Sequence, residues 1–192
     1  MNVLLLAMPN VGLGYGYHKM IAVPNLGLCS IAGNAGGHRI KVADLVLFKG
    51  DIRSYIRRLL RDFSPDVVGL SCMSFQYRTA IEVAKEVKGF RKDTPVVLGG
   101  YHPTLACDEI SESGDSRFID FIVRGEGELT FRELLQALSG RRSLSDVDGL
   151  SYKADGKLHH NRPRSLCDLE GVSLQLQLLL HKGDVREGPQ EI

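Results

Sequence analysis

The sequence lacks any pair of closely spaced cysteines. Its 4 cysteines, Cys29, Cys72, Cys107 and Cys167, are scattered, so the Cys-x-x-Cys spacing of metal and redox motifs is absent. Scattered cysteines of this kind predict reduced thiols in a cytoplasmic protein.

Long apolar runs and an excess of one charge are missing as well. No run approaches the length of a transmembrane helix, and residues 1–8 lack the basic start of a signal peptide and fit a first strand better. The formal net charge of +1 gives no reason to expect nucleic acid or a membrane as a partner. No Ser-His-Asp arrangement or carboxylate pair is evident, so catalysis by side chains is not indicated.

Strand and helix signals instead alternate along the chain. Apolar runs at residues 2–7, 39–44, 67–72, 96–98 and 118–124 predict strands. Helical stripes separate most of them, and Asp51 can cap the stripe that runs from Ile52 to Phe63. The alternation predicts an α/β fold, a doubly wound, flavodoxin-like (Rossmann-like) five-stranded parallel sheet of order 2-1-3-4-5.

The C-terminal part has a different pattern. Residues 149–154 and 157–161 flank Asp155-Gly156, which predicts a β-hairpin at the edge of the sheet. From about Leu169 the sequence contains no aromatic residue, and we expect disorder there. The expected organisation is a main domain at residues 1–145, a hairpin extension at 146–168 and a tail at 169–192.

The loops that follow the strands are rich in small residues. In parallel strands these loops meet at one edge of the sheet, where open α/β folds bind ligands. Gly99-Gly100 leaves bare backbone at the end of the fourth strand, and His102 and Thr104 follow with polar groups. Similar loops at residues 9–16, 45–50, 71–74 and 125–128 complete a wide cradle with few charges. Such a cradle indicates a large cofactor.

Several ordered motifs then match a known family. They are Pro24-Asn-Leu-Gly27 with Gly37-His38, Pro65-Asp-Val-Val-Gly-Leu-Ser71, Gly99-Gly-Tyr-His-Pro-Thr104, and Val123-Arg-Gly-Glu-Gly-Glu128 with Thr130-Phe131 and Glu133-Leu134-Leu135. Residues 1–169 thereby resemble the N-terminal cobalamin-binding domain of cobalamin-dependent radical SAM enzymes, of the methyltransferase and anaerobic Mg-protoporphyrin ester cyclase type.

The resemblance implies that residues 1–145 bind cobalamin. Ser71 would hydrogen-bond the nucleotide tail of the cofactor, Gly99 and Gly100 would let the tail pass against the sheet, and residues 125–127 would wall its other side. The full set of expected cofactor-binding residues is Asp44, Leu45, Val46, Leu47, Ser71, Met73, Ser74, Gly99, Gly100, His102, Thr104, Gly125, Glu126 and Gly127.

The resemblance also implies which residues would face the lower side of the cobalt. Relatives that ligate cobalt through the protein carry Asp-x-His-x-x-Gly after the second strand. Here the loop reads Asp44-Leu-Val-Leu-Phe-Lys-Gly50, with Val46 in place of the histidine. Leu45, Val46 and Leu47 have no lone pair to offer, and Lys49 would have to lose its proton to ligate. We therefore expect an apolar floor and no histidine ligand.

The chain departs from the family beyond Leu169. Family members continue into a catalytic barrel with a Cys-x-x-x-Cys-x-x-Cys motif that holds an iron–sulfur cluster, and this motif is absent here. The cluster, S-adenosylmethionine and the barrel would thus belong to a full-length parent, and the chain is not expected to be catalytic by itself. We interpret the chain as a truncated form, a split or damaged gene product, or a stand-alone carrier.

Two other classes remain open on the residues alone. Gly12-x-Gly14-x-Gly16 and Asp44 suggest a Rossmann-type nucleotide-binding oxidoreductase, although the third glycine is misplaced and the loop to Pro24 is long. A non-catalytic flavodoxin-like binding module is the other class. A phospho-receiver of this fold would need acids where Asn10 and Ser71 stand.

Single residues also have two interpretations each. Glu126 and Glu128 can stabilise a helix dipole or act on substrate, and we favour the dipole. His102 can touch the cofactor or hold its own loop, whereas His18 and His38 fit structural roles better. Met73 can pack against the corrin ring or the neighbouring helix.

Overall fold

Short aliphatic runs form the strands, because most of them are apolar on both faces and can be buried between two layers of helices. The computed structural model describes residues 1–9, 25–46 and 51–165. In this part of the chain the strands are β1 (Asn2–Ala7), β2 (Arg39–Asp44), β3 (Val67–Ser71), β4 (Val96–Gly99), β5 (Phe121–Val123), β6 (Leu150–Ala154) and β7 (Lys157–His160).

The strands form one sheet of order β2-β1-β3-β4-β5-β6-β7. Neighbours from β2 to β5 are parallel, and β6 and β7 are added antiparallel. The predicted parallel order 2-1-3-4-5 with a C-terminal hairpin at the sheet edge is confirmed. At the hairpin turn Asp155 and Gly156 have positive φ angles of 51° and 76°, as a two-residue primed turn requires.

Helices cover both faces of this sheet. They are α1 (Leu26–Asn34), α2 (Ile52–Phe63), α3 (Tyr77–Phe90), α4 (Tyr101–Leu105), α5 (Cys107–Glu112) and α6 (Gly127–Leu138). Side chains of β1 alternate between the faces: Leu5 packs in the core under α1 and α6, whereas Leu4 and Leu6 pack in the core under α2, α3 and α5. We call the two sides the α1/α6 face and the α2/α3 face.

The helix starts follow side-chain caps that the sequence provides. Asp51 accepts a hydrogen bond from the backbone N–H of Arg53 at 3.0 Å, and Asn25 accepts one from Leu28 at 3.0 Å. The stripe of α2 is buried as predicted, through Ile56, Leu59, Leu60 and Phe63.

One boundary differs from the prediction. The fifth strand begins at Phe121 and not at residue 118, because residues Gly114–Phe118 form a 3-10 turn. Asp120, just before the strand, accepts the N–H of Val96 with Oδ2 at 2.7 Å. Helix α6 begins at Gly127, so Thr130 and Glu133, which have capping-box spacing, lie inside it. The Thr130 hydroxyl is fully buried and donates to the Asp148 carbonyl at 2.9 Å, so it fastens the helix to the hairpin segment and caps nothing.

Some predictions concern residues outside the described part. The glycine-rich loop at 10–24, residues 47–50, and the tail from 166 onward belong to this group. None of the described helices is long and apolar enough to cross a bilayer.

Candidate functional site

A cavity opens on the α1/α6 face, where two strands carry glycine in place of a side chain. The register aligns Leu5 with Gly69 and Gly69 with Val97, and two residues further along Ser71 lies beside Gly99. Side chains at positions 69, 71, 97 and 99 would all project to this face. The Leu5 side chain uses the space over Gly69, since a Cβ there would lie 2.7 Å from Leu5 Cδ2, whereas the space beside Gly99 stays open.

The cavity has a volume of about 260 Å³, and we call it the glycine cavity. Its helical walls are Leu28 and Ile31 of α1 and Phe131 of α6. The remaining lining comes from the sheet and from the loops at its carboxyl edge: Leu5, Gly27, Gly69, Leu70, Ser71, Val97, Gly99, Gly100, Val123, Gly125, Glu126, Gly127 and Glu128. The surface is apolar apart from Ser71, the two glutamates and exposed backbone.

Gly99 and Gly100 have different reasons to be glycine. A Cβ on Gly99 would meet only Val123, at 3.8 Å and 3.9 Å, which is ordinary contact. A Cβ on Gly100 would lie 2.8 Å from the Cys72 carbonyl oxygen, and the residue has a φ of 99°. Gly100 is therefore required by the backbone itself, whereas Gly99 leaves open space that the fold does not need.

Ser71 supplies the polar group of the channel. It ends β3 between Ala7 and Gly99 in the sheet register, and its side chain is half-buried. Its hydroxyl has no hydrogen-bond partner among the described residues, so it is available to a ligand in the cavity.

Thr104 holds the two loops that form the mouth of the cavity. Its hydroxyl donates to the Gly100 carbonyl at 2.9 Å and accepts the N–H of Gly125 at 3.0 Å. Thr104 does not itself line the cavity. Its position suits a residue that fixes Gly100 relative to Gly125.

His102, Ser74 and Met73 lie beside the cavity on the same edge of the sheet. His102 Nδ1 lies 3.2 Å from Ser74 Oγ, and its ring centroid lies 4.5 Å from that of Tyr77. Burial lowers the pKa of His102, which favours the neutral imidazole. Met73 is exposed.

The two glutamates stand at the start of α6. Glu126 is the N-cap residue, and Glu128, in the first turn, accepts a hydrogen bond from Ser30 Oγ of α1 at 2.8 Å. Negative charge in the first turn stabilises the helix dipole. The contact with Ser30 also joins the two helices that wall the cavity, which supports the structural interpretation of Glu128.

The end of β2 is organised around Asp44. Its carboxylate accepts the N–H of Asn25 at 3.0 Å and that of Val46 at 3.0 Å, which fixes the start of α1. Leu45 is 0% exposed and packs in the core of the α2/α3 face, so it offers no surface to a ligand. Of the three residues expected to form an apolar floor, Val46 is half-buried and Leu47 lies outside the described residues.

Several large apolar side chains are exposed at the edge of the sheet where the cavity opens. Leu26 begins α1, Met73 and Phe75 follow β3, and Tyr101 and Leu105 follow β4, so all five belong to the carboxyl edge of the sheet. Exposed apolar patches of this kind mark binding surfaces.

The structure thus brings Ser71, Gly99, Gly100 and residues 125–127 into one cavity, with Ser74, His102 and Thr104 beside it. Sequence reasoning missed Gly69 and the walls formed by Leu28, Ile31 and Phe131. A signal for Gly69 existed, because glycine inside a buried strand often marks the close approach of another group, and here that group is the Leu5 side chain.

Comparisons with known proteins identify the family of the chain. The B12 binding domain family model matches residues 22–135, more than half of the chain. An uncharacterized methyltransferase of Pyrococcus horikoshii is 38% identical over 144 residues, which are 74% of this chain and 31% of that protein. The anaerobic magnesium-protoporphyrin IX monomethyl ester cyclase of Rubrivivax gelatinosus is 33% identical over 110 residues, 54% of this chain and 19% of that protein.

The fold is that of a solved relative. The structure of the cobalamin-dependent S-adenosylmethionine radical enzyme OxsB, with aqua-cobalamin and S-adenosylmethionine bound, superposes with a TM-score of 0.72 at 22% identity, over 89% of this chain and 23% of that one. The chain spans less than a third of the length of each of these three proteins. It belongs to the B12-binding domain family, and it is related to the corresponding domains of cobalamin-dependent radical SAM methyltransferases and anaerobic magnesium-protoporphyrin cyclases.

Proposed function

We propose that the chain binds cobalamin with the nucleotide tail in the glycine cavity and the corrin ring over the carboxyl edge of the sheet. The observation that carries the proposal is the open space beside Gly99, where a Cβ would meet only Val123, in a cavity that also reaches Gly69, whose missing side chain makes room for Leu5. Apolar cavities of about 150 Å³ hold benzene, so the 260 Å³ found here is large enough for a fused two-ring base.

The chemistry of the lining supports the same assignment. Apolar walls from Leu28, Ile31 and Phe131 suit the faces of an aromatic base, and the free hydroxyl of Ser71 suits a ring nitrogen at its edge. Backbone from Gly125 to Gly127 forms a further wall of the cavity at the N-terminus of α6.

The apolar rim suits the larger part of the cofactor. A corrin is a broad macrocycle with much apolar surface, and Met73, Tyr101 and Leu105 present apolar surface beside the mouth of the cavity. Met73 then packs against the ring and not against a helix, since its side chain is exposed. His102 keeps its loop in place through Ser74 and can contact the ring edge.

The lower face of the cobalt would receive no histidine. A cofactor whose tail occupied the cavity would not use its own base as a cobalt ligand, and position 46, which the resemblance aligns with the histidine of relatives that supply a ligand, is valine here. The Asp44 carboxylate accepts two backbone N–H groups, from Asn25 and Val46, so its role is to fix the local backbone. The apolar floor proposed from the sequence rests on Val46 among the described residues, because Leu45 is buried in the core.

The role proposed for the chain is that of a cofactor-presenting domain. Bound cobalamin supplies methyl transfer or related radical chemistry, and a radical SAM catalytic barrel, absent from this sequence, would supply the iron–sulfur cluster and S-adenosylmethionine. We assign cobalamin binding to residues 1–145. We assign contact with the barrel to the extension at residues 146–168.

Reconstitution tests the proposal directly. Purified protein is mixed with hydroxocobalamin, desalted, and its visible spectrum recorded; stoichiometric retained corrin absorbance is expected. A bound nicotinamide would give no visible colour, so a colourless protein that retains NAD would favour the oxidoreductase alternative. A colourless protein that retains neither ligand would contradict the proposal.

A further inference from the structure

Three metal-ligating side chains meet on the opposite face of the sheet from the glycine cavity. They are Cys107 and Asp108 at the start of α5 and His160 at the end of β7, and one donor atom of each lies within 4.8 Å of those of the other two. Cys107 Sγ lies 3.4 Å from His160 Nδ1, and Asp108 Oδ1 lies 3.7 Å from His160 Nε2.

The local structure fixes these groups from two directions. The strand register pairs Ser151 of β6 with His160 of β7, and Ser151 is fully buried. Cys107 is 7% exposed and belongs to the core of the α2/α3 face, so the thiol is held at the inner end of the cluster. The side chain of Asp108 is 91% exposed, and its carboxylate lies beside Nε2 while Cys107 lies beside Nδ1, so it has to rotate toward Nδ1 to share a cation with the sulfur.

Hydrogen bonds to two serines orient the imidazole. Ser111 Oγ donates to the Cys107 carbonyl at 2.7 Å, so in its 3.3 Å contact with His160 Nε2 the imidazole N–H is the donor. The lone pair is then on Nδ1, which faces both Cys107 Sγ and, at 2.8 Å, Ser151 Oγ. A ring nitrogen held in this way by its partner is the arrangement found around metal-bound histidines.

We propose that Cys107 Sγ, His160 Nδ1 and the Asp108 carboxylate bind a divalent zinc-type cation, with water in the fourth position. In a tetrahedral zinc site with Zn–S of about 2.3 Å and Zn–N of about 2.0 Å, the sulfur and nitrogen are about 3.5 Å apart. The observed separation is 3.4 Å.

Charge and hydrogen bonding also balance in the occupied site. One thiolate and one carboxylate neutralise the divalent cation, and the thiol proton is released to solvent. The Ser151 hydroxyl, displaced from Nδ1, lies 3.4 Å from the sulfur and can donate to the thiolate. The cation would join α5 to the hairpin, two elements far apart in sequence.

Cobalt(II) is the probe, because a thiolate ligand gives it a charge-transfer band in the near ultraviolet. The full chain, free of cobalamin and stripped of metal by a chelator, is titrated with Co²⁺, and Zn²⁺ is then added in competition. We expect one Co²⁺ per chain with the band, its displacement by Zn²⁺, and a rise in Tm with Zn²⁺.

Variants assign the ligands. Cys107→Ser should abolish the band, and His160→Gln and Asp108→Asn should weaken Co²⁺ binding at least tenfold and severalfold, respectively. His159→Gln is the matched control, since His159 is the neighbouring residue on the same strand and contacts Tyr152 and the Ala154 carbonyl instead. Control binding equal to wild type supports the site.

A second readout applies if Cys107→Ser does not fold. In the wild-type chain Zn²⁺ should slow alkylation of Cys107 at least tenfold, as measured by peptide mass spectrometry. The proposal is overturned if no thiolate band forms at millimolar Co²⁺, if the band survives Cys107→Ser, if His159→Gln weakens binding as much as His160→Gln, or if Zn²⁺ leaves the alkylation of Cys107 unchanged.

Discussion

Gly99→Val separates the binding of cobalamin from the stability of the fold. Gly99 lines the glycine cavity, and a Cβ there meets only Val123, at the ordinary contact distances of 3.8 Å and 3.9 Å, so the Cβ of valine causes no clash with the protein. Its two methyl groups would occupy space that the proposed tail needs. Because glycine in a strand costs about 0.5–1 kcal/mol relative to a residue with a side chain, the cofactor-free variant should be as stable as wild type or slightly more stable.

The magnitude follows from the cost of overpacking. Forcing extra methyl groups into a filled core costs about 1–3 kcal/mol even where neighbours can adjust, and each 1.4 kcal/mol or so is a factor of ten in affinity. The Kd for hydroxocobalamin should therefore rise about 10- to 100-fold or more, measured by equilibrium dialysis with visible absorbance.

The matched control is Gly89→Val. Gly89 is an exposed residue near the end of α3, and a Cβ there meets nothing within 4 Å. This control should leave the Kd unchanged. Wild-type affinity in a folded Gly99→Val variant would show that the tail lies elsewhere. Gly100→Val is a weaker test, because its φ of 99° and the 2.8 Å approach to Cys72 would disturb the fold as well.

Three further predictions concern the loops, the cobalt and the cysteines. Thr104→Val removes two hydrogen bonds at the mouth of the cavity, so it should lower the free energy of unfolding by about 1–3 kcal/mol and weaken cobalamin binding. The control Thr79→Val in α3 should have neither effect. Unchanged cobalamin binding in Thr104→Val would show that the hydrogen bonds joining Gly100 to Gly125 are unimportant for binding. Electron paramagnetic resonance of bound cob(II)alamin should lack splitting from an axial nitrogen, and splitting that disappears in His102→Ala or His18→Ala would identify that histidine as the ligand. Anaerobic reconstitution with iron and sulfide should give no stoichiometric cluster on the monomer, and finding one would mean that scattered cysteines meet in space.

Most of the fold could be predicted because local signals agree with the tertiary structure. The stripe from Ile52 to Phe63, its Asp51 cap and the Asp155-Gly156 turn each specify one backbone geometry, and all occur as predicted. The role of Thr130 could not be predicted, because its partner is the Asp148 carbonyl, contributed by a distant segment. The run at residues 118–124 likewise looks like one strand in sequence, whereas its first residue, Phe118, belongs to a 3-10 turn and the strand begins at Phe121.

The residues of the candidate site at the carboxyl edge of the sheet were predictable, whereas those that line the inner cavity were not. Gly99, Gly100 and Ser71 follow strand ends, and parallel topology alone gathers such residues. The inner cavity depends on the register of the strands, which places Gly69 beside Leu5 and Val97. The sequence of β3 alone does not show that Gly69 will line the cavity. Leu45 shows the opposite case. The sequence suggests that this apolar loop residue could contact a ligand, but in the structure its side chain is buried in the core.

The two proposed sites lie on opposite faces of one sheet, and this separation has a measurable consequence. Ser151 pairs with Ile122, whose side chain packs on the α2/α3 face, whereas the cavity is bounded by Val123 on the other face. The two ligands share no contacting side chain, so their binding free energies should add. Each ligand stabilises the folded chain by an amount set by its concentration relative to its Kd. Thermal unfolding with cobalamin, with Zn²⁺ and with both should then give stabilisation free energies that sum within about 0.5 kcal/mol. A larger departure would mean that the sheet transmits strain between the α5–hairpin junction and the cavity, and that occupancy of one site regulates the other.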